Sequence, residues 1–301
     1  MTESPAAESL AAESLAAESS DPRSRAAESH TGGPRAVVAS DLDRTLIYST
    51  AALALTMPDP DAPRLLCVET HEHRPLSFMT ETAGELLAEL GETAWFVPTT
   101  TRTRAQYERI HLPGPAPRYA ICANGGHLLV DGVSDPDWRR TVDARLADEC
   151  APLGEVSDHL RRTADPAWLR KHRVAEDLFA YLVVERDLLP PQWIKDFAEW
   201  AENRGWTVSL QGRKIYAVPK PLTKSAAVRE VARRTGTGLV LGAGDSLLDA
   251  DLLLAVDHGW RPNHGELADT GWGAPTVVPL VERGVLAGER ILREFLAAVR
   301  G

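Results

Sequence analysis

Four short apolar runs, each too short for a helix and each followed closely by a polar residue, constrain the fold of this 301-residue chain more than any other feature. They are Ala36-Val37-Val38-Ala39 before Asp41, Ala94-Trp95-Phe96-Val97 before Thr99, Tyr119-Ala120-Ile121-Cys122 before Asn124, and Leu239-Val240-Leu241 before Asp245. Such runs fit strands buried on both faces. Helical periodicity lies between or after them, over 81–90, 104–110, 225–234 and 282–299. Strands alternating with helices predict an α/β fold with a doubly wound, mostly parallel sheet. In such sheets ligands sit at the carboxyl ends of the strands, where these polar residues fall.

From 134 to 213 the texture changes. Helical stretches at 138–150, 156–162 and 192–203 are interleaved with strand-like runs at 179–184 and 206–210, and five of the eight tryptophans lie here. We expect an α+β module with its own aromatic core, inserted into a core domain of 35–133 and 214–301. Residues 1–34 repeat Ala-Ala-Glu-Ser four times and carry six acidic residues against two basic. A five-residue period turns about 140° per repeat on a 3.6-residue helix, so its leucines form no stripe. This segment is expected to be a disordered acidic tail.

Composition excludes several classes. A net charge of −10 argues against nucleic-acid and membrane-surface partners, whose phosphates it would repel. No apolar stretch approaches the roughly 20 residues that span a bilayer, and no basic-then-apolar signal opens the chain. Three widely spaced cysteines, Cys67, Cys122 and Cys150, show no metal-ligand pattern and read as reduced thiols, which predicts a cytoplasmic protein. Only five lysines occur, all between 171 and 224.

The chemistry concentrates at strand ends. Asp41 and Asp43 are two apart and so share a side, where a carboxylate pair can bind a cation, attack phosphorus and handle protons; alone, the pair reads first as a solvated turn. Asp245 and Asp249 are four apart, one face of a helical first turn. Four carboxylates at one sheet edge would repel strongly unless a cation joined them. Thr99-Thr100-Thr101-Arg102 offers hydroxyls and N–H groups where a helix is expected to begin, a phosphate site or an ordinary cap. Lys224 opens a helix, where positive charge is unfavourable unless an anion accompanies it.

Asp41-Leu42-Asp43-Arg44-Thr45-Leu46, Thr100, Lys224 and Gly244-Asp245-x-x-x-Asp249, in this order, resemble the four motifs of the haloacid dehalogenase superfamily. Asn124-Gly125-Gly126 and the following hairpin resemble its members with a large C2-type cap between the second and third motifs, nearest the Cof-type, sucrose-phosphate and mannosylphosphoglycerate phosphatase branch. The resemblance implies a Rossmann-like core with an inserted cap, and a Mg²⁺-dependent phosphatase acting on a small phosphorylated metabolite, a sugar phosphate or glycerate-type phosphate. Asp41 would be the nucleophile that forms an aspartyl-phosphate, and Asp43 the acid and then the base. Mg²⁺ would be held by Asp41, the Asp43 carbonyl, Asp245 and Asp249, the last directly or through water. Thr100, Thr101, Lys224 and the N–H groups of Leu42 and Asp43 would hold the phosphoryl oxygens. Arg44 stands where the family usually has glycine. A phosphomutase with the same aspartyl-phosphate chemistry, or a non-catalytic binding protein, is the alternative.

Arg44, Asn124, Arg213, Lys214 and Asn263 are the further candidates for substrate contact. Arg213 and Lys214 lie where the chain returns from the insertion, and Asn263 with His264 resembles a loop beside the active site in this branch. His71 and His73 read as a solvated hairpin, and Arg170-Lys171-His172-Arg173 as a solvated cap surface. Oligomeric state is open at this stage.

Overall fold

The computed structural model describes residues 34–301, which form one compact unit; the repeat segment lies outside the described residues apart from Pro34. Its centre is a five-stranded parallel sheet in the order Val277–Pro279, His258–Arg261, Leu239–Ala243, Ala36–Ser40, Trp95–Pro98. Successive residues of the fully buried Ala36–Ser40 strand point to opposite faces. Val38 packs with Leu87, Leu90, Ile291 and Phe295 on one face, under helices Glu81–Thr93 and Val285–Arg300. Val37 and Ala39 pack with Ala227, Val231 and Leu252 on the other, under Lys224–Thr235 and Ala250–Ala255. The sheet is thus wound on both faces, and its topology switches between Ala36–Ser40 and Leu239–Ala243. A crevice outside the carboxyl ends of those two strands is the expected ligand position.

Three smaller sheets surround it. An antiparallel hairpin, Leu65–His71 with Arg74–Thr80, carries His71 and His73, both exposed at its turn. Tyr119–Cys122, His127–Val130 and Val133–Ser134 form a second sheet, joined to the central one through the Thr99–Ile121 bridge. The third is antiparallel, in the order Trp206–Gln211, Lys214–Pro219, Phe179–Val184, Leu169–Ala175, and is accompanied by helices Pro136–Glu149, Leu153–Thr163 and Pro191–Glu202. This sheet runs on through Lys214–Pro219, past the point where the sequence places the chain's return to the core. Trp193, Phe197, Trp200 and His159 stack against one another, and Trp168 meets Trp193 at a tilt. This aromatic group is not a separate core, because buried contacts run continuously from Val37 and Val97 through Ala123, Leu128 and Trp138 to Phe179 and Trp206.

Two local expectations change. The helix expected over 104–110 is the single turn Arg104–Tyr107, capped by Thr103, so no helix begins at the threonine run. Asp249 lies in a 3-10 turn, Leu247–Asp249, that precedes helix Ala250–Ala255. Its carboxylate accepts the N–H groups of Asp245 and Ser246 and the Ser246 hydroxyl, which draws the chain into the tighter turn.

Candidate active site

Asp41 continues the central strand, its N–H donating to the Ala243 carbonyl across the switch point at 2.9 Å. The chain then turns sharply, with the Leu42 carbonyl accepting from Thr45, Leu46 and Ile47. Asp41, Asp245 and Asp249 are buried, and one carboxylate oxygen of each lies within 4.8 Å of the others. Lys224, fully buried at the first turn of its helix, donates to Asp41 Oδ1 at 2.6 Å and to Asp249 Oδ1 at 2.5 Å. The anion inferred from this lysine's unfavourable place is thus a pair of the protein's own carboxylates. Thr45 donates to the other Asp41 oxygen at 3.2 Å. Gly265, at φ 89°, approaches so closely that an added Cβ would fall 2.4 Å from Asp245 Oδ2, which fixes glycine there.

Burial pushes the Asp41 carboxyl up to about 7; Lys224 pulls against that rise, while Asp249 and Asp43 add to it. Asp245 is raised well above the ordinary range by burial and by Asp41 and Asp249. Burial works against the Lys224 charge, but Asp249 and Asp41 outweigh it and hold the ammonium protonated. Three buried carboxylates facing one lysine and one half-exposed arginine leave the cluster short of positive charge. Hard carboxylate oxygens at this spacing fit a small divalent cation that prefers oxygen, held by Asp41, Asp245 and Asp249.

Asp43 stands apart from this cluster, with its side chain about half exposed at the mouth. Arg102 clamps its carboxylate through Nε at 2.7 Å and Nη2 at 2.8 Å, and is itself held by Glu69 through Nη1 at 2.8 Å. Burial works upward on Asp43, but the Arg102 charge and hydrogen bonds outweigh it and hold the carboxyl below its ordinary value. Arg102 is the contact that the sequence reading missed; its signal was adjacency to the threonine run.

The threonine run acts differently from expectation. Thr99 and Thr100 spend their N–H groups on Ser40 and Ile121, continuing the sheet, and Arg102 N–H donates to Thr100 Oγ1. Thr100 is fully buried, beside the strand end. Among the described residues no acceptor takes the N–H of Leu42, Asp43 or Thr101.

Arg44 adopts φ 64°, a left-handed conformation that favours glycine. The strain is held by its N–H to Ile47 O at 2.8 Å and by His264, whose Nε2 meets Arg44 O at 2.7 Å. Because Gly284 N–H donates to His264 Nδ1, Nε2 carries the proton; burial pushes this imidazole down to about 4, so it is neutral. Arg44 Nε lies 3.2 Å from Asp245 Oδ2, off the line of a hydrogen bond, and is buried without a hydrogen-bond partner.

Of the remaining candidates, Arg213 and Lys214 line a cavity of about 290 Å³ together with Asp43, Arg44, Thr101 and Arg102. Asn124 instead holds the backbone, its Nδ2 donating to Leu222 O at 2.8 Å just before the Lys224 helix. Asn263 is exposed and reaches only Val281 O at 3.4 Å, so the loop's inward residue is His264. Glu266, which no local signal marked, accepts from Ser209 Oγ at 2.5 Å, Leu210 N–H at 2.6 Å and Leu247 N–H at 3.1 Å, tying the inserted sheet to the Asp249 turn.

No family model matches this sequence, and no curated protein matches it. Solved structures match the fold. The sucrose-phosphatase of Synechocystis sp. PCC6803, solved with sucrose and phosphate, is similar over 89% of this chain and 99% of its own, at 15% identity and a TM-score of 0.61. A Thermoplasma acidophilum protein is similar over 88% and 99%, at 11% identity and a TM-score of 0.56. The subclass IIB sugar phosphatase BT4131 of the haloacid dehalogenase superfamily is similar over 87% and 99%, at 12% identity and a TM-score of 0.51. Matches that span nearly the whole of each partner, together with the parallel sheet and its crevice, establish that this chain has the haloacid dehalogenase fold.

Proposed function

We propose that this protein is a Mg²⁺-dependent phosphatase that hydrolyses a small phosphorylated metabolite through an aspartyl-phosphate on Asp41. The observation that carries the reading is the division of labour between two aspartates two residues apart. Asp41 is buried against Lys224 and two further carboxylates, whereas Asp43 stands at the mouth of the crevice.

Mg²⁺, held by Asp41, Asp245 and Asp249, would neutralise charge on the transferring phosphoryl group and hold Asp41 ionised. Lys224 fixes the orientation of Asp41 and is placed to share the phosphoryl charge. An Asp41 oxygen attacks phosphorus while the bond to the leaving oxygen breaks; Asp43 gives that oxygen a proton, then takes one from the water that hydrolyses the aspartyl-phosphate. The Arg102 clamp favours the ionised, proton-accepting form of Asp43, so proton donation requires this pair to loosen when substrate enters. Thr100 and the N–H groups of Leu42, Asp43 and Thr101 would donate to the phosphoryl oxygens, the three N–H groups having no other acceptor among the described residues.

The inserted 134–213 segment would act as a cap that encloses the crevice and excludes bulky substrates. An acidic surface supports a small-molecule substrate over nucleic acid or membrane. No helix among the described residues is long and apolar enough to cross a membrane, and three unpaired thiols support a cytoplasmic location. The fold-level kinship with sugar phosphatases favours a sugar phosphate or glycerate-type phosphate. Inorganic phosphate release from a panel of phosphorylated metabolites, with and without Mg²⁺ and with Asp41→Asn, tests the reading.

A further inference from the structure

Two cavities meet at the mouth of the crevice. The one beside Asp43 adjoins a second of about 470 Å³, and the two share Arg44, Ser49, Gly212 and Arg213. Arg44, Arg213 and Arg283 line the second cavity, and no carboxylate does. Among the described residues neither Arg213 nor Arg283 has a carboxylate within ion-pair distance, and Arg44 Nε is buried without a hydrogen-bond partner. In a chain with a net charge of −10, three guanidiniums from three distant segments converge on this cavity, and only Arg44 has a carboxylate, Asp245 on the side of the metal cluster, within ion-pair distance. Arg44 comes from the turn after the first central strand, Arg213 from the two-residue hairpin tip of the inserted sheet, and Arg283 from the loop before the last helix.

A neutral leaving group would leave these cations to repel one another, whereas the fork of an arginine matches a carboxylate or phosphate with two hydrogen bonds. We propose that this second cavity is an anion subsite, so that the substrate carries, besides the phosphoryl group to be removed, a second anionic group on its leaving portion. The inference rests on the phosphatase reading for the first cavity and names its substrate class: phosphomonoesters bearing a further carboxylate or phosphate. Binding that remote group positions the phosphoryl end at Asp41.

The test compares matched pairs. Phosphate release is followed from 3-phosphoglycerate against glycerol 3-phosphate, and from fructose 1,6-bisphosphate against fructose 6-phosphate, with p-nitrophenyl phosphate as an ester lacking a second anion. We expect kcat/KM to favour the doubly anionic member of at least one pair about tenfold or more; the pair that shows it tells carboxylate from phosphate. In Arg283→Gln and Arg213→Gln, both at exposed positions, that preference falls about tenfold through KM, and Arg283→Lys retains part of it. Equal use of both members in both pairs, or a preference unchanged in both Gln variants, overturns the subsite. If no ester is hydrolysed, p-nitrophenyl phosphate included, the phosphatase reading is what fails. Calorimetric titration with 3-phosphoglycerate and glycerol 3-phosphate then decides the subsite: tighter binding of the former that weakens in Arg283→Gln supports it, and equal or absent binding overturns it.

Discussion

At the scale of single residues the site turns on two aspartates in opposite states. Arg102 and its Glu69 support hold Asp43 ionised below its ordinary value, so stabilisation from this pair is present above the unfolded pKa and is lost as pH falls through the lowered folded one. Arg102→Gln removes the clamp and leaves only the weaker pull of Lys214 and Lys224 against burial, so the acidic limb of kcat/KM moves to higher pH, which a pH–rate profile reads directly. Asp41 has the reverse sign. Its folded value of about 7 against an ordinary 3.8 means that the folded, metal-free protein holds a proton the unfolded chain has lost, so its contribution to stability falls as pH rises from about 4 to about 7. Because a bound cation must displace that proton, the gain in Tm on adding Mg²⁺ should be larger at about pH 8 than at about pH 5.5, measured by thermal unfolding. That Asp41, Asp245 and Asp249 would gather at one sheet edge was legible in the sequence, whereas Asp43, expected with them, stands apart. Their partners were not legible, because Arg102 to Asp43 and Lys224 to Asp41 are contacts made only by the fold.

At the scale of elements, strands were easier to read than helix starts. Ala36–Ser40 and Phe179–Val184 declare themselves because burial demands a continuous or alternating apolar run. The threonine run suggested a helix start, but the N–H groups of Thr99 and Thr100 had sheet partners in Ser40 and Ile121, and long-range pairing overrode local propensity. The Asp245–Asp249 spacing suggested a helical face, and side-chain capping made a 3-10 turn instead. Glu266 was illegible for the same reason as Arg102: its acceptor oxygens serve Ser209, Leu210 and Leu247, which only the folded chain brings near. Glu266→Ala should leave the Leu210 and Leu247 N–H groups without their acceptor and cost about 1–3 kcal/mol. The loss should appear in urea unfolding and as faster amide exchange at Leu210.

At the scale of the whole molecule, an acidic chain gathers Arg44, Arg102, Arg213, Lys214 and Arg283 around one entrance. Such a field draws anionic substrates in, and salt screens it over about 8–10 Å at physiological ionic strength. kcat/KM should therefore fall as ionic strength rises, with kcat changing less, in steady-state assays at constant Mg²⁺. The doubly wound architecture was legible from alternating patterns, and so was the inserted α+β segment. Its continuity with the main core was hidden, since packing across Ala123, Leu128 and Trp138 leaves no periodic trace. The central claim is that Asp41 takes the phosphoryl group, and the most direct test is phosphate release by the full-length protein and by Asp41→Asn across a metabolite panel, with and without a chelator. The account predicts release that requires both Mg²⁺ and Asp41, with activity in the variant reduced at least about a thousandfold, about 4 kcal/mol of transition-state stabilisation. Release that persists undiminished in Asp41→Asn, or none from a folded protein that binds Mg²⁺, would contradict it.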